Sequence, residues 1–250
     1  MIGALALVTG LVSGFVNTVA GGGSALNLPL LVLLGLSPDV ANGTNRVAIV
    51  LQSSVAVATF LRRGVLGSPA PPRALANLGL PLLLGAAVGA GLASLLDPDW
   101  FRKILGLVLL MLGVHGLSRI RHRGGGDAGQ SRPPYSAPSR MIILCLVGVY
   151  AGFIQVGVGV WLLILLPGLV ASDLLEANAL KSLLILLMNG VALFVFMARG
   201  QVDWAAAGWL SLGSGIGAWV GARWASEVSE IGLRWALVIA TVILGFRMLS

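Results

Sequence analysis

The chain has 250 residues, of which 57% are hydrophobic and only 10% are charged. Its mean hydropathy of +0.97 excludes an ordinary soluble domain, in which about 25% of the residues are charged. The formal net charge of +7 comes largely from Arg residues at the ends of apolar segments and in one central loop. Because this pattern is typical of membrane topology signals, we expect no nucleic-acid partner.

Eight apolar segments predict an all-α, polytopic transmembrane helical bundle. They cover residues 2–36, 40–61, 75–96, 104–117, 141–171, 177–198, 205–225 and 233–249. A helix needs about 20 apolar residues to cross a hydrocarbon core, so these segments account for nearly the whole chain. The first segment lacks the basic start and cleavage site of a signal peptide, and we assign it to the fold.

Residues 119–140 differ from the rest of the chain, because they contain five Arg together with clustered Gly, Pro and Ser. This composition predicts a flexible basic linker, and its charge places it in the cytoplasm. The linker separates a first transmembrane repeat, residues 1–118, from a second one, residues 141–250. An internal duplication of this kind is common among secondary transporters.

The two halves share several residues in the same order. Gly10, Gly14, Phe15, Ala41 and Asn42 match Gly148, Gly152, Phe153, Ala177 and Asn178. An odd number of crossings in each half would give inverted repeats, and an even number would give parallel ones. The sequence leaves this choice open.

The first apolar segment of each half contains a glycine-rich interruption. Residues 20–24 read AGGGS, and the second half has Gly157 and Gly159 at the matching place. Each glycine costs a helix about 1 kcal/mol relative to Ala, so the sequence predicts interrupted or re-entrant helices. Unwound backbone in a membrane is expected to line a cavity, and the N–H groups of a helix that starts after Gly23 favour an anion. Close helix packing is the alternative explanation for the glycines.

Two cations fall inside apolar segments. Arg46 and Lys181 each lie a turn or more within the second segment of their half, where a charge costs about 2.5 to 3.5 kcal/mol. An anionic substrate would supply the missing counter-charge. The alternative, which the sequence leaves open, is that both side chains snorkel to the nearer interface.

The candidate binding residues surround the two interruptions and the two cations. They are Asn17, Gly21, Gly22, Gly23, Ser24, Asn27, Thr44, Asn45, Arg46, Gln52, Gln155, Gly157, Gly159, Asn178, Lys181 and Asn189. With two His and one Cys in the chain, we predict no catalytic residues, no metal site and no cofactor. We therefore do not expect an enzyme.

Several of these motifs resemble the TauE/SafE family of sulfite and organosulfonate exporters. The matching residues are 14–15, 20–24, 29–31, Gly35, Pro38 and 41–45, with a weaker repeat at 152–159 and 178–181. The resemblance spans both halves. It implies a multi-pass permease of the plasma (inner) membrane that moves small sulfur-containing anions, often outward.

The predicted function is therefore a secondary transporter of a small sulfur-containing anion, such as sulfite or an organosulfonate. A passive anion channel and a carrier of another small organic anion remain alternatives. The expected partners are a small anionic substrate and the lipid bilayer. Whether the chain forms a homodimer is left open.

Overall fold

The computed structural model describes residues 2–19, 23–65, 72–121, 137–166, 174–224 and 230–249. These residues form ten helices and no strand, which confirms the predicted all-α bundle. The helices are α1 Ile2–Val19, α2 Ser24–Leu33, α3 Pro38–Arg62, α4 Pro72–Leu95, α5 Pro98–Arg121, α6 Ala137–Phe153, α7 Val158–Leu165, α8 Leu174–Ala198, α9 Trp204–Trp224 and α10 Glu230–Leu249. Most of the predicted linker lies outside the described residues.

Ten helices arise from eight apolar segments because two segments are interrupted. The first segment is divided between α1 and α2, and the fifth between α6 and α7, so both predicted interruptions are confirmed. Gly23 lies against the backbone of Ser13 and Asn17, which means that α2 begins beside α1. Gly21 and Gly22 lie outside the described residues.

The bundle has apolar side chains outside and polar side chains inside, as lipid requires. Along α4, Leu80, Leu84, Val88 and Leu92 are more than half exposed, whereas Leu82 on the opposite face is fully buried. Among the described residues, four stretches are long and apolar enough to cross a membrane: Pro38–Arg62, Asn77–Leu95, Pro98–Leu117 and Leu175–Ala198. The polar side chains that lie in the interior therefore need partners there.

Glycines bring helices of the two halves into close contact. A Cβ on Gly10 would overlap the backbone of Leu210, and one on Gly217 would overlap that of Leu11. Both contacts join α1 to α9, and their numbering rises together, so these helices run parallel. Gly85 and Gly89 hold α4 against α6 in the same manner, next to Cys145 and Val149. Small residues permit this approach in membrane bundles.

Helices α3 and α8, which carry the matching residues Ala41 and Ala177, run in opposite directions. Near the start of α3, Gly43 lies against Phe196 at the end of α8, whereas Phe60 near the end of α3 clusters with Ala179. The pair α5 and α10 is antiparallel as well, since Gly106 faces Leu249. The internal duplication stays a prediction, and opposite directions are what inverted copies would produce.

Candidate functional site

The two interruptions meet in the interior of the bundle. The hydroxyl of Ser24, the first residue of α2, donates to the carbonyl oxygen of Gln155, at 3.3 Å. Gln155 has a φ of +61°, the one positive value at a non-glycine position in the described chain, and Gly157 follows with +75°. A left-handed conformation is unfavourable for Gln, so the surroundings hold this break in place.

Arg46 is fully buried, with 0% of its surface exposed, and its guanidinium is surrounded by oxygen acceptors. The two terminal nitrogens donate to the carbonyl oxygens of Ala151 (2.6 Å) and Gly152 (2.7 Å) and to side-chain oxygens of Asn42 (3.2 Å), Gln155 (3.2 Å) and Asn189 (3.0 Å). The guanidinium also lies over the ring of Phe196, and the guanidinium carbon is 5.6 Å from the ring centroid. These contacts join α3 to the interruption between α6 and α7.

The acceptors of Arg46 identify its counter-charge in this structure. Ala151 and Gly152 belong to the last turn of α6, where carbonyls lack partners within the helix and the helix dipole is negative. The side-chain amide of Asn42 donates to Phe153 in the same turn, at 2.9 Å. A fixed cation and an amide of α3 therefore cap the buried end of α6.

Lys181 caps the end of α1 at the other interruption, as Arg46 caps the end of α6. Lys181 as a whole is 1% exposed, and its ammonium donates to the carbonyl oxygens of Asn17 (3.1 Å) and Thr18 (3.0 Å), in the last turn of α1, and to Oδ1 of Asn178 (2.7 Å). Each cation thus binds the interrupted helix of the opposite half. Neither side chain reaches the surface, so the snorkelling alternative does not hold.

A polar cavity opens beside Lys181 and the end of α1. In this conformation it has room for about one water molecule, and its lining residues come from α1, α3 and α8: Asn17, Thr18, Gln52, Ser53, Ala56, Lys181, Ser182 and Ile185. Gln52 is only 2% exposed, yet its Oε1 atom has no hydrogen-bond partner in the described part of the chain. The cavity therefore combines a cation with a buried amide that lacks a partner.

The predicted binding residues separate into groups in the structure. Asn17, Gln52, Asn178 and Lys181 belong to the cavity or hold its cation. Gln155 and Asn189 belong to the Arg46 network. Asn27 donates to Asn45 at 3.1 Å, and Thr44 accepts from the backbone of Asp203 at 2.9 Å, so these three residues connect neighbouring helices. Gly159 lies in the first turn of α7, after the break itself.

Three polar lining residues were not predicted from the sequence: Thr18, Ser53 and Ser182. Each adjoins a residue that was predicted, namely Asn17, Gln52 and Lys181. Small hydroxyl residues are common in membrane helices, where they bond the preceding turn, so they give little signal by themselves. In the described part of the chain, no group of three His, Cys, Asp or Glu residues is placed to hold a metal ion.

A bundle with an apolar exterior, interrupted helices and an interior cationic cavity has the features of a membrane transporter. The family model described as "Sulfite exporter TauE/SafE" matches residues 6–248, almost the whole chain. The chain belongs to this family, as the motif resemblance indicated, and it is a membrane transporter.

The curated relatives support the same class. The chain is 28% identical to "Probable membrane transporter protein ORF9" of Sinorhizobium sp over 249 residues, which cover 99% of this chain and 92% of the relative. It is 27% identical to "Probable membrane transporter protein YfcA" of Escherichia coli K12, with coverages of 100% and 90%. A "Probable membrane transporter protein" of Haemophilus influenzae is 25% identical, with coverages of 98% and 93%. No solved structure matches the chain significantly.

Proposed function

We propose that the chain is a secondary transporter of small sulfur-containing anions, such as sulfite or organosulfonates, across the plasma membrane. The observation that carries this proposal is the buried ammonium of Lys181 in the lining of a polar cavity. The family description names sulfite, which is a small oxyanion. Sulfonates present a similar set of oxygens.

The electrostatics of the cavity favour an anion of low charge. Coulomb interactions weaken in inverse proportion to the dielectric constant, so an ammonium inside a bundle attracts an anion far more strongly than one in water. The neutral oxygens of Asn17, Thr18 and Asn178 hold this ammonium in place. Gln52 and Ser53 supply further hydrogen-bonding groups from α3.

Arg46 and Lys181 have different tasks in this proposal. Arg46 binds five oxygens that tie α3 and α8 to the end of α6, and we assign it to positioning that helix. Lys181 adjoins empty space, and we assign it to the substrate. The transporter would alternate between states in which the cavity opens to one side and then to the other.

The charges at the two ends of the bundle support a multi-pass topology. Arg63, at the end of α3, donates to the carbonyl oxygens of Ala222 and Arg223 at the end of α9. At the opposite end, Gln201 donates to Asp39 at 3.0 Å. Because Arg is enriched on the cytoplasmic side, we place the Arg63 end in the cytoplasm and the Asp39 end outside.

Uptake of labelled sulfite into proteoliposomes tests the proposal. We expect saturable uptake and exchange against unlabelled internal sulfite, whereas a passive channel would give linear flux without exchange. Lys181→Gln removes the positive charge that attracts the anion and should lower kcat/KM roughly 10- to 100-fold. Lys103→Gln is the matched control, because Lys103 is exposed and lies over the ring of Trp100. Equal uptake by both folded variants would contradict the proposal.

A further inference from the structure

The lining of the cavity beside Lys181 contains hydrogen-bond acceptors. A fully deprotonated oxyanion cannot bind to them, because it has no proton to donate. Resting on the proposed function, we propose that the cavity binds the singly charged, protonated form of an oxyanion, hydrogensulfite rather than sulfite, and that Gln52 accepts a hydrogen bond from its hydroxyl group. The substrate would then carry its own proton across the membrane. Three features of the lining support this: its charge, the orientation of its hydroxyl groups and the buried amide oxygen of Gln52, which has no partner among the described residues.

The charge of the cavity matches one negative charge better than two. Among the described residues, Lys181 is the one charged residue in its lining, and the last turn of α1 directs the carbonyls of Asn17 and Thr18 to the same ammonium. A helix carboxyl end acts as roughly −0.5 elementary charge. When Lys181 and this helix end alone are counted, the sum with a dianion is about −1.5, whereas with a monoanion it is about −0.5.

On the described parts of α1, α3 and α8, the other ionisable groups do not line the cavity. Residues 2–19 of α1 contain none. On α3, the guanidinium of Arg46 binds the end of α6, and Asp39 and Arg62 lie in the first and last turns of the helix. On α8, Glu176 lies in the first turn. The protonation state of the ligand thus determines the charge balance of the cavity together with Lys181.

Two hydroxyl groups in the lining have already used their protons. Thr18 donates to the carbonyl of Gly14 at 2.9 Å, and Ser182 donates to the carbonyl of Asn178 at 2.9 Å. A hydroxyl has one proton and two lone pairs, so each can only accept from a ligand. A fully deprotonated oxyanion has no proton to give them, whereas hydrogensulfite has one.

The amide of Gln52 adds a third acceptor. Its Oε1 is buried and has no partner among the described residues, and its side chain lines the cavity. Leaving such a group unpaired is unfavourable, and a ligand hydroxyl would pair it. The Nε2 group of the same side chain and the hydroxyl of Ser53 can donate to the other oxygens of the ligand. The cavity thus complements an anion that bears both a proton and free oxygens.

A protonated substrate would explain transport without a proton-carrying carboxylate in the lining. Hydrogensulfite moves outward with one negative charge, and an inside-negative potential favours this movement. On the outer side it dissociates into sulfite and a proton, and no further reactant is needed. Each turnover would then export one proton with each sulfur atom.

The sign of the pH change inside proteoliposomes tests this inference. With the membrane potential clamped and a pH dye enclosed, entering hydrogensulfite releases protons and acidifies the lumen. Entering sulfite dianion binds protons and makes the lumen alkaline. Protein-free vesicles give the uncatalysed permeation, which is subtracted. We expect protein-dependent acidification with sulfite and no pH change with methanesulfonate, a monoanion that does not dissociate further.

Two results would overturn the inference alone: protein-dependent alkalinisation during sulfite uptake, or uptake of the sulfate dianion as efficient as that of sulfite. No sulfite uptake by the folded natural protein would overturn the proposed function and this inference together.

A pair of variants tests the role of Gln52. Gln52→Leu removes the acceptor and should lower the preference for sulfite over methanesulfonate roughly 2- to 10-fold, the effect of one hydrogen bond. Ser54→Ala is the matched control, because Ser54 is on the same helix and donates to Val50 rather than lining the cavity. It should leave the preference unchanged. An equal loss for both anions in Gln52→Leu would overturn the role of this residue in recognising the proton.

Discussion

Replacing Arg46 with Met removes the cation that caps the end of α6 while keeping a long side chain in its place. The change leaves the carbonyls of Ala151 and Gly152 without their donor in the buried interior. The side-chain oxygens of Asn42, Gln155 and Asn189 lose the same partner. We expect the interruption between α6 and α7 to loosen as a result.

The size of the effect follows from the burial of this network. Arg46→Met leaves no buried charge behind, but it leaves five neutral acceptors without this donor. A single unsatisfied acceptor costs about 1–3 kcal/mol, and the five acceptors here share one side chain, so their costs do not simply add. We predict that Arg46→Met lowers the free energy of unfolding by about 3–5 kcal/mol, which is more than one acceptor alone would cost. Arg46→Lys should lose less, since it keeps the charge but not the planar fork.

Unfolding of the full chain in detergent micelles, followed by circular dichroism, measures this loss. Arg223→Met serves as the control, because Arg223 is exposed and lies over the ring of Trp219 at 4.8 Å. An exposed contact of this kind contributes about 0.5–1 kcal/mol. If Arg46→Met unfolds as late as Arg223→Met, the capping role of Arg46 is refuted.

Gly89→Leu should lower the unfolding midpoint strongly, because any Cβ there overlaps the backbone of Val149, whereas Gly91→Leu, with no atom within 4 Å of its Cβ position, should change it little. Equal midpoints in a thermal melt would contradict the close contact of α4 and α6. Ser53→Ala should raise the KM for sulfite roughly 2- to 10-fold through loss of one hydrogen bond, and Ser54→Ala should not. A KM for Ser53→Ala equal to that of the natural protein would remove Ser53 from the site.

The sequence was sufficient to predict the helices and their interruptions. Membrane helices must satisfy their own backbone, so apolar length and consecutive glycines carry strong signals. Residues 20–24 and Gly157 marked both interruptions, and the structure ends α1 at Val19 and α6 at Phe153. The positions of Arg46 and Lys181 inside apolar segments likewise indicated that each needs a partner in the interior.

The partners themselves could not be predicted. Arg46 binds carbonyls 105 and 106 residues away, and Lys181 binds carbonyls 164 and 163 residues away. Backbone acceptors exist at every residue, so the sequence does not reveal which ones a cation will meet. The direction of the helices was similarly hidden, because it depends on whether α2 turns back beside α1. The cavity could not be predicted either. It forms where the end of α1 meets α3 and α8, so its position depends on the partners of Lys181 and on the direction of the helices.

The most direct test of an anion site at Lys181 is a crystal structure with selenite, a heavier analogue of sulfite whose selenium can be located by anomalous scattering. We expect one interior selenium peak in the cavity beside Lys181, with an oxygen within hydrogen-bond distance of the amide of Gln52, and no such peak in Lys181→Gln. A peak within the Arg46 network instead, or an unchanged peak in Lys181→Gln, would contradict an anion site at Lys181.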